Sequence, residues 1–407
     1  MSAPVQTAPD LVAEVLTTLA SPAGEADPYP HYARLRAAGP VLVGPGGSLV
    51  VTGYRACATL LRDHRMRKNP EQLLTRAGYP NWQERPSLRT LYSSILMLNP
   101  PAHTRLRRLV SGAFTARRVA ELRPALQSIV DDLCEQMAGE TDFVATVAFP
   151  LPVTIIGELL GVPAADRPMF QGVVREWVTV LEEFSQPVVE RADAAVTTIR
   201  DYLSGLAADR RAQPRDDLVT ALVHAQDQGD RLDEDELVTM VALLLAAGFE
   251  TTTSLLANGL VALLNHPAQA AALRTEPDLA ASAAEELLRY DSPIQALYGR
   301  FAETEMSVGD LSLRKGQRVV TFVGAANRDP EIFSDPNQLR LDRREEPALS
   351  FGGGIHYCLG APLARLEAQV AFPTLLRRYP RLELRGDAIR RTGLTLHGYA
   401  SLPVNAR

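Results

Sequence analysis

Residues Ser350–Arg365 read SFGGGIHYCLGAPLAR, a glycine-rich loop that contains one cysteine and leads directly into a predicted helix. The glycines before Cys358, and Gly360 after it, allow positive φ angles and let the backbone approach a flat, bulky group. A helix is predicted over 361–378, because proline is tolerated in a first helical turn. The helix N-terminus favours the thiolate of Cys358, which is a good ligand for a soft or borderline metal. A lone cysteine is more often a small buried hydrophobic residue, so the loop alone leaves both interpretations open.

Composition and charge are typical of a soluble globular protein. The 407 residues are 46% hydrophobic, and 42 basic against 48 acidic side chains give a net charge of −6, which argues against nucleic acid as a partner. The cysteines, Cys57, Cys134 and Cys358, are few and far apart, which favours a reducing compartment and argues against disulfide, zinc or iron–sulfur frameworks. We recognise no signal sequence and no uncharged apolar run of about 18 residues. We therefore expect a cytoplasmic protein that is not bound to a membrane.

The apolar pattern predicts a mainly α protein with small β-sheets near its two ends, in a single large domain over residues 28–407. Residues 1–27 are predicted to form a loose lead-in, and residues 66–101, with five prolines, a long irregular loop. The longest predicted helix covers 234–264, capped by Asp233 and ended by His266-Pro267. Other helices are predicted over 29–38, 54–63, 103–114, 116–138, 154–160, 166–184, 190–211, 216–228, 267–275 and 278–290, and extended segments over 40–51, 308–323 and 392–404.

The longest predicted helix contains LLLAAGFETTT at residues 243–253. Apolar residues on all of its sides imply burial on most faces. Ala247 and Thr251 lie one turn apart on the same face, and Gly248 lowers helix stability by about 1 kcal/mol relative to alanine. These small residues predict room for a small ligand against the helix. Ordinary helix packing, with Glu250 reaching solvent, explains the same residues if they are considered alone.

These two motifs resemble signatures of the cytochrome P450 family, the haem-thiolate monooxygenases. FGGGIHYCLG resembles the haem-ligand loop, and AGFET at residues 247–251 resembles the oxygen-activation motif. The resemblance covers residues from about 27 to 404 and implies the cytochrome P450 fold with haem b as cofactor. It implies that Cys358 is the axial thiolate ligand of the haem iron. It also implies that Glu250 and Thr251 are the catalytic acid–alcohol pair that delivers protons during dioxygen activation.

The resemblance assigns further residues to the cofactor and to the fold. Four cationic or imidazole side chains match the family's partners of the haem propionates, which need donors in an apolar pocket: His103, Arg107, Arg300 and His356. Four small or aromatic residues match positions that line the haem: Ala247, Gly248, Phe351 and Gly360. The pair Glu286 and Arg289 matches a buried Glu-x-x-Arg motif that holds the fold, completed by Arg343 or Arg344.

The resemblance further implies insertion of one oxygen atom from O2 into a lipophilic small molecule, by hydroxylation or epoxidation. A secondary metabolite such as a polyketide, macrolide or terpenoid, as in antibiotic biosynthesis, fits this chemistry. Electrons would come from a ferredoxin and its reductase, docked on a basic patch, and a monomer is expected. Oxidative coupling, peroxide-driven oxidation by the same haem, and a non-enzymatic haem sensor are the alternatives.

Two residue sets follow from these implied partners. The predicted docking patch consists of Arg108, Arg365, Arg377 and Arg378. The predicted substrate contacts lie in segments 66–100, 169–184, 243–247, 293–297 and 394–399, with Gln295, Thr239 and His397 as polar handles.

Overall fold

A computed structural model describes residues 6–113, 115–227, 230–308 and 311–407, and helix dominates these residues. The helices are α1 (Pro9–Leu19), α2 (Pro22–Ala26), α3 (Tyr29–Ala38), α4 (Tyr54–Arg62), α5 (Pro70–Arg76), α6 (Pro86–Tyr92), α7 (Ala102–Ala113), α8 (Ala116–Glu121), α9 (Arg123–Glu135), α10 (Pro150–Leu160), α11 (Phe170–Val178), α12 (Gln186–Ala212), α13 (Leu218–Val223), α14 (Glu234–Leu264), α15 (Pro267–Thr275), α16 (Ala280–Tyr290), α17 (Val323–Ala326) and α18 (Ala361–Arg378). The predicted fold class, mainly α with small sheets, is confirmed.

The strands are short. They are β1 (Gln6–Thr7), β2 (Val41–Val43), β3 (Leu49–Val51), β4 (Met66–Lys68), β5 (Gly139–Asp142), β6 (Gln226–Asp227), β7 (Asp230–Arg231), β8 (Leu297–Ala302), β9 (Met306–Val308), β10 (Leu311–Leu313), β11 (Arg318–Thr321), β12 (Glu383–Leu384), β13 (Ile389–Arg390), β14 (Tyr399–Ser401) and β15 (Pro403–Ala406). The largest sheet has the order β1-β2-β3-β11-β8-β4, and β12-β15-β5 forms another. β2 and β3 form an antiparallel hairpin within the predicted extended segment 40–51, and β11 pairs parallel with β3 and antiparallel with β8.

The chain groups into two compact units. The first unit takes in the chain up to Arg67, Gln127–Ala148 and Thr251–Arg407. The second unit takes in Lys68–Leu126 and Phe149–Glu250. The boundary between the two units falls within helix α14, between Glu250 and Thr251.

Helix α14 begins at a reciprocal cap. The Asp233 side chain accepts the N–H of Glu236 at 2.8 Å, and the Glu236 side chain accepts the N–H of Asp233 at 3.1 Å, as in a capping box. The helix is long and apolar enough to cross a membrane by length and composition, but 78% of its apolar window is buried inside the protein. It therefore has the character of a core helix.

The predicted loose lead-in is wrong for residues 9–26, which form α1 and α2. Val12, Val15 and Leu19 are buried and belong to the same core cluster as Leu35 and Leu42. The spacing of these α1 residues places them on one helical face, and burying that face stabilises the segment. Residues 1–5 of this prediction lie outside the described residues.

The predicted irregular loop over residues 66–101 is also partly wrong, because it contains α5 and α6. Pro70 and Pro86 lie in the first turns of these helices, where the missing proline N–H costs no helical hydrogen bond. The Asn69 side chain caps α5 by accepting the N–H of Gln72 at 2.9 Å. Prolines that resemble helix breakers therefore mark helix starts here. The predicted helix ends at residues 114 and 228, and residues 309–310 of the predicted extended segment 308–323, lie outside the described residues.

Candidate active site

The cysteine loop ends where α18 begins. Two short helical turns, Leu349–Phe351 and Gly354–His356, lead to Cys358, whose backbone N–H donates to the carbonyl of Phe351 at 3.0 Å. Gly360 directly precedes α18, which has a proline in its first turn as predicted. Cys358 therefore lies three residues before an 18-residue helix, near its N-terminal N–H groups.

Two loop glycines adopt backbone conformations that favour glycine: φ is 70° at Gly352 and 65° at Gly354. A Cβ on Gly354 would lie 2.7 Å from the carbonyl oxygen of Leu61, so the loop packs directly on the backbone of α4. The expectation of positive φ at Gly360 is wrong, because φ is −80° there. A Cβ on Gly360 would contact the Cys358 sulfur at 3.9 Å, so glycine keeps the space beside the thiol open.

Cys358 is the exposed thiol of the chain. Cys57 and Cys134 are fully buried, and burial raises the pKa of both thiols, that of Cys134 to about 11. Neither buried thiol is suited to act as a thiolate ligand. A single accessible thiol on a tight loop at a helix N-terminus fits the axial position of a haem iron.

One narrow face of α14 is accessible. Within residues 237–260 the helix is buried except at Leu244, Ala247, Gly248 and Thr251. These positions are spaced i, i+3, i+4 and i+7, so they form one stripe along the helix. Ala247 is exposed, whereas the other three residues are half-buried. A Cβ on Gly248 would lie 3.1 Å from Cγ1 of Ile156 in α10, so close helix packing accounts for that glycine, and Ala247 is the accessible residue of the stripe.

Glu250 is buried within the second unit and does not reach solvent. Its side chain is 2% exposed, and Oε1 lies 3.3 Å from Nε of Arg175 in α11. The Arg175 guanidinium also lies 5.0 Å from the ring centre of Phe149, and that ring packs edge-on against Phe249 at 5.4 Å. The carboxylate therefore has a cation beside it, and that cation packs on the aromatic ring of Phe149.

Helix α7 presents His103 and Arg107 one turn apart. His103 is buried, and its pKa is lowered by burial and by the nearby positive charge of Arg107. Arg107 is half-buried. A neutral imidazole and a guanidinium together offer N–H donors to an anionic group, as the predicted propionate role requires.

Strand β8 buries a guanidinium in the first unit. Arg300 is 5% exposed, and burial lowers its pKa to about 10. Among the described residues, no carboxylate or other acceptor is paired with this guanidinium. A buried cation needs an anion, and a haem propionate has the required charge. Leu297 of the same strand lies 3.9 Å from the Cβ position of Gly352, which places β8 against the cysteine loop.

The other predicted cofactor residues of the loop are partly accessible. His356 and Phe351 are half-buried, and the Arg365 guanidinium lies 4.5 Å from the centre of the Phe351 ring.

The predicted site residues are divided between the two units. Thr251, Arg300, Phe351, His356, Cys358 and Gly360 lie in the first unit, and His103, Arg107, Ala247, Gly248 and Glu250 lie in the second.

The Glu-x-x-Arg pair forms a buried network, as predicted. Arg289 donates to Glu286 through Nε at 2.7 Å and Nη2 at 2.8 Å. Arg343, and not Arg344, completes the network by donating from Nε to Glu286 Oε2 at 3.0 Å. Arg289 also donates to the carbonyls of Asn327 and Pro336, so the network joins α16 to the coil before the cysteine loop.

The predicted polar handles are bound inside the protein. Gln295 is 2% exposed and donates to the carbonyl of Ser292 at 2.7 Å. Thr239 accepts from Arg200 Nη1 at 3.0 Å, and His397 is 4% exposed. Their proposed role as substrate handles is therefore not supported, because each side chain is turned toward internal partners.

The docking arginines differ in availability. Arg365 forms an ion pair with Glu285, and Arg378 pairs with Glu135 at 3.2 Å. Arg108 and Arg377 are exposed. Arg365 therefore helps to hold the structure, and the remaining arginines are the better candidates for a partner surface.

Sequence reasoning missed two charged residues near α14. Arg175 gives no sequence signal for its pairing with Glu250, because the two are far apart in the chain. Glu367 gives a signal, since it falls on the apolar face of α18 between Leu363 and Val370. Glu367 is 1% exposed; burial raises its pKa to about 8, and a side-chain hydrogen bond with Thr252 opposes that shift.

Comparison with known proteins identifies the family. Residues 167–395 match the family model described as Cytochrome P450. The chain is 41% identical to the cytochrome P450 monooxygenase PikC of Streptomyces venezuelae, over 94% of this chain and 92% of that protein. It is 37% identical to the polyketide biosynthesis cytochrome P450 PksS of Bacillus subtilis (strain 168), over 88% of each.

Comparison with solved structures gives the same family. The structure of P450BioI in complex with an acyl carrier protein ligated to hexadec-9Z-enoic acid superposes with a TM-score of 0.87 at 34% identity, covering 94% of this chain and 99% of that chain. Identity at this level over most of both chains shows the family. The chain belongs to the cytochrome P450 family and is a monooxygenase of that family.

Proposed function

We propose that the chain binds haem b through Cys358 and oxidises a lipophilic secondary metabolite of the polyketide or macrolide type. The observation that supports this most strongly is the accessible thiol of Cys358 at the start of α18, beside two thiols that are fully buried. When bound, the haem supplies activation of dioxygen and transfer of one oxygen atom to the substrate.

The residues that would hold the propionates are His103, Arg107, Arg300 and His356. Arg300 gives the strongest support, because its buried guanidinium has no protein anion beside it among the described residues. A propionate there would compensate the burial of the guanidinium charge. Phe351 and Gly360 would leave a flat surface and open space on the thiolate side, and Ala247 and Gly248 would lie along the accessible stripe of α14.

Glu250 and Thr251 would manage protons. Thr251 is half-buried on the open stripe of α14, so its Oγ1 can pass a proton to a group bound there. Glu250 is buried beside Arg175 of α11, so this contact must loosen before the carboxyl group can reach solvent. The pair would therefore connect the reaction centre to solvent, and Arg175 of α11 would control that connection.

The substrate class is supported by what the predicted contact segments present. Gln295 and His397 are bound internally, whereas Ile294, Leu297 and Leu394 are half-buried apolar side chains. Such a lining favours a lipophilic molecule. PksS is named for polyketide biosynthesis, and the P450BioI structure contains a carrier-bound fatty acid. A free or carrier-linked acyl chain or macrolactone is the substrate type that we propose.

Electrons would come from a ferredoxin and its reductase, and we propose that the protein works as a cytoplasmic monomer. Arg377 and Arg378 at the end of α18 are exposed and could meet an acidic partner. Reversal of charge at Arg377, which no described carboxylate pairs with, should slow reduction and lower its salt dependence.

The proposed activity can be tested with the purified protein, a ferredoxin, its reductase and NADPH. Macrolactones and medium-chain to long-chain acyl substrates, free and carrier-linked, are screened for the spectral change that accompanies loss of iron-bound water. The best binder is then incubated under 18O2. A product containing one labelled oxygen supports the proposal, whereas turnover with peroxide alone, or a coupled product without labelled oxygen, contradicts it.

A further inference from the structure

A buried polar cluster surrounds Asp291, just after α16. The carboxylate accepts from the Tyr29 hydroxyl at 3.0 Å, lies 3.2 Å from Nε2 of His397 and 3.5 Å from Nη2 of Arg390. Gln295 donates to the same Tyr29 hydroxyl at 3.2 Å. Asp291 is 7% exposed and His397 is 4% exposed. The Asp291 cluster, defined by these five residues, thus contains both of the first-unit side chains that the sequence suggested as substrate handles.

Backbone hydrogen bonds join the two chain segments that meet at this cluster. His397 N–H donates to the carbonyl of Pro293 at 2.8 Å, and Gln295 N–H donates to the carbonyl of Thr395 at 3.0 Å. Ile294 and Leu396 form an isolated antiparallel bridge between these bonds. Segments 293–297 and 394–399 are therefore bound to each other, and both were predicted to contact substrate.

The second of these segments also packs tightly on α14. A Cβ on Gly398 would lie 2.4 Å from Oγ of Ser254 and 3.1 Å from its Cα, so the backbone touches the helix. Asn258, one turn further along α14, donates through Nδ2 to the carbonyl of His397 at 3.0 Å. Ser254 lies three residues after Thr251, so movement of segment 394–399 would change the space beside the catalytic part of α14.

The charges explain why Asp291 can stay buried. Burial alone would raise its pKa, but His397, Arg390 and Arg328 bring the pKa of the carboxyl below its ordinary value. The Arg328 guanidinium lies 3.5 Å from the centre of the Tyr29 ring, beside the cluster. An ionised, buried carboxylate with donors from several chain segments fixes the relative positions of those segments.

We propose that Asp291 is a positioning residue that fixes segment 394–399 against α14 and thereby determines which substrates fit beside Thr251. This inference rests on the proposed function, since it needs a substrate over a haem. The carboxylate acts through His397 and Arg390 and does not touch the substrate. Loss of its charge weakens its contacts with three side chains and frees the segment to shift away from Ser254.

The test compares Asp291→Asn with Asp217→Asn. Asp217 is a matched control, because its carboxylate is also buried in an ion pair, with Arg210, but belongs to the second unit and not to the Asp291 cluster. Binding of imidazole and of 4-phenylimidazole to the haem protein is measured from their spectral shifts. The small imidazole reports only access to the iron, whereas the phenyl ring must fit the space above it.

Asp291→Asn should weaken 4-phenylimidazole binding by about fivefold or more and leave imidazole binding within about twofold of wild type. Asp217→Asn should change neither affinity. Hydrogen exchange of peptides covering residues 391–402 should accelerate in Asp291→Asn and not in Asp217→Asn. Equal effects of both variants, or unchanged exchange and an unchanged affinity ratio in Asp291→Asn, would overturn the inference. A wild type that lacks the thiolate spectrum of a P450 would refute the proposed function instead, while the exchange result still decides whether Asp291 holds the segment.

Discussion

Nε of Arg175 lies 3.3 Å from Oε1 of Glu250, the buried carboxylate of the proposed oxygen-activation motif. The Arg175 side chain is 32% exposed, whereas that of Glu250 is 2% exposed. The arginine therefore connects a buried acid on α14 to the surface of α11. This contact therefore affects both the burial of Glu250 and the access to solvent that its proposed role requires.

Replacement of this cation should destabilise the protein. We expect Arg175→Gln to lower the free energy of unfolding by about 1–3 kcal/mol, because Glu250 would stay buried without this compensating charge. The effect should be smaller than for a fully buried pair, since Arg175 is partly solvated. Urea denaturation measures it.

Arg191→Gln is the control for this prediction. Arg191 pairs with Glu176 at 2.6 Å, but its side chain is 56% exposed. We expect its removal to cost less than about 1 kcal/mol. Equal losses in the two variants would show that the Arg175 contact behaves as an ordinary surface ion pair.

Removal of the Thr251 hydroxyl should separate binding from coupled turnover. We expect Thr251→Ala to bind haem ligands normally and to form product at least about tenfold more slowly, with hydrogen peroxide released in its place. Thr251→Ser keeps a hydroxyl on the open stripe of α14 and should retain most of the coupling. Fully coupled turnover by Thr251→Ala would show that another group delivers the proton.

Stability should depend on pH through Glu367. Burial raises the pKa of Glu367 to about 8 from its ordinary value of 4.5, so the folded protein retains this proton where the unfolded chain has lost it. The folded state is therefore destabilised as pH rises from about 4.5 to about 8, by on the order of 1 kcal/mol per pH unit.

Glu367→Gln removes this titration. Melting temperatures of the wild type should fall relative to those of Glu367→Gln as pH rises through that window, and the difference should level off above pH about 8. Parallel melting curves at all pH values would mean that Glu367 titrates normally, in contradiction to its burial against α14.

Arg300 should hold the cofactor. We expect Arg300→Gln to release haem to apomyoglobin at least about tenfold faster than wild type, because it loses a charge-assisted hydrogen bond in a buried setting. Arg314→Gln, a change at an exposed arginine of the same region, should leave the transfer rate unchanged. The same rate in Arg300→Gln and wild type would mean that the buried guanidinium serves another anion.

Sequence reasoning located helices where local chemistry marks their ends. The bounds of α14, α15 and α18 agree with prediction, because Asp233, Pro267 and Pro362 mark their first turns. The prediction is wrong for α5 and α6, because prolines begin these helices within the predicted loop. Strand β8 was missed as well, since its pairing with β11 is a tertiary contact.

The candidate site was predictable in its motifs and not in its contacts. Cys358 and the α14 stripe follow from residue types at short spacing, which sequence shows directly. The partners Arg175 and Glu250 are brought together only by folding. His397 and Gln295 were expected to face the substrate, but a buried polar side chain follows its hydrogen-bond partners, and these lie inside the protein.

The most direct test of the account is the ferrous–carbon monoxide difference spectrum of the wild type and of Cys358→Ser. The wild type should show the red-shifted band of a haem with a thiolate ligand, and Cys134→Ser should show it as well, because that thiol is buried. Cys358→Ser should lose the band. A wild type without it, or a Cys358→Ser variant that keeps it, would contradict the assignment of Cys358 as the iron ligand.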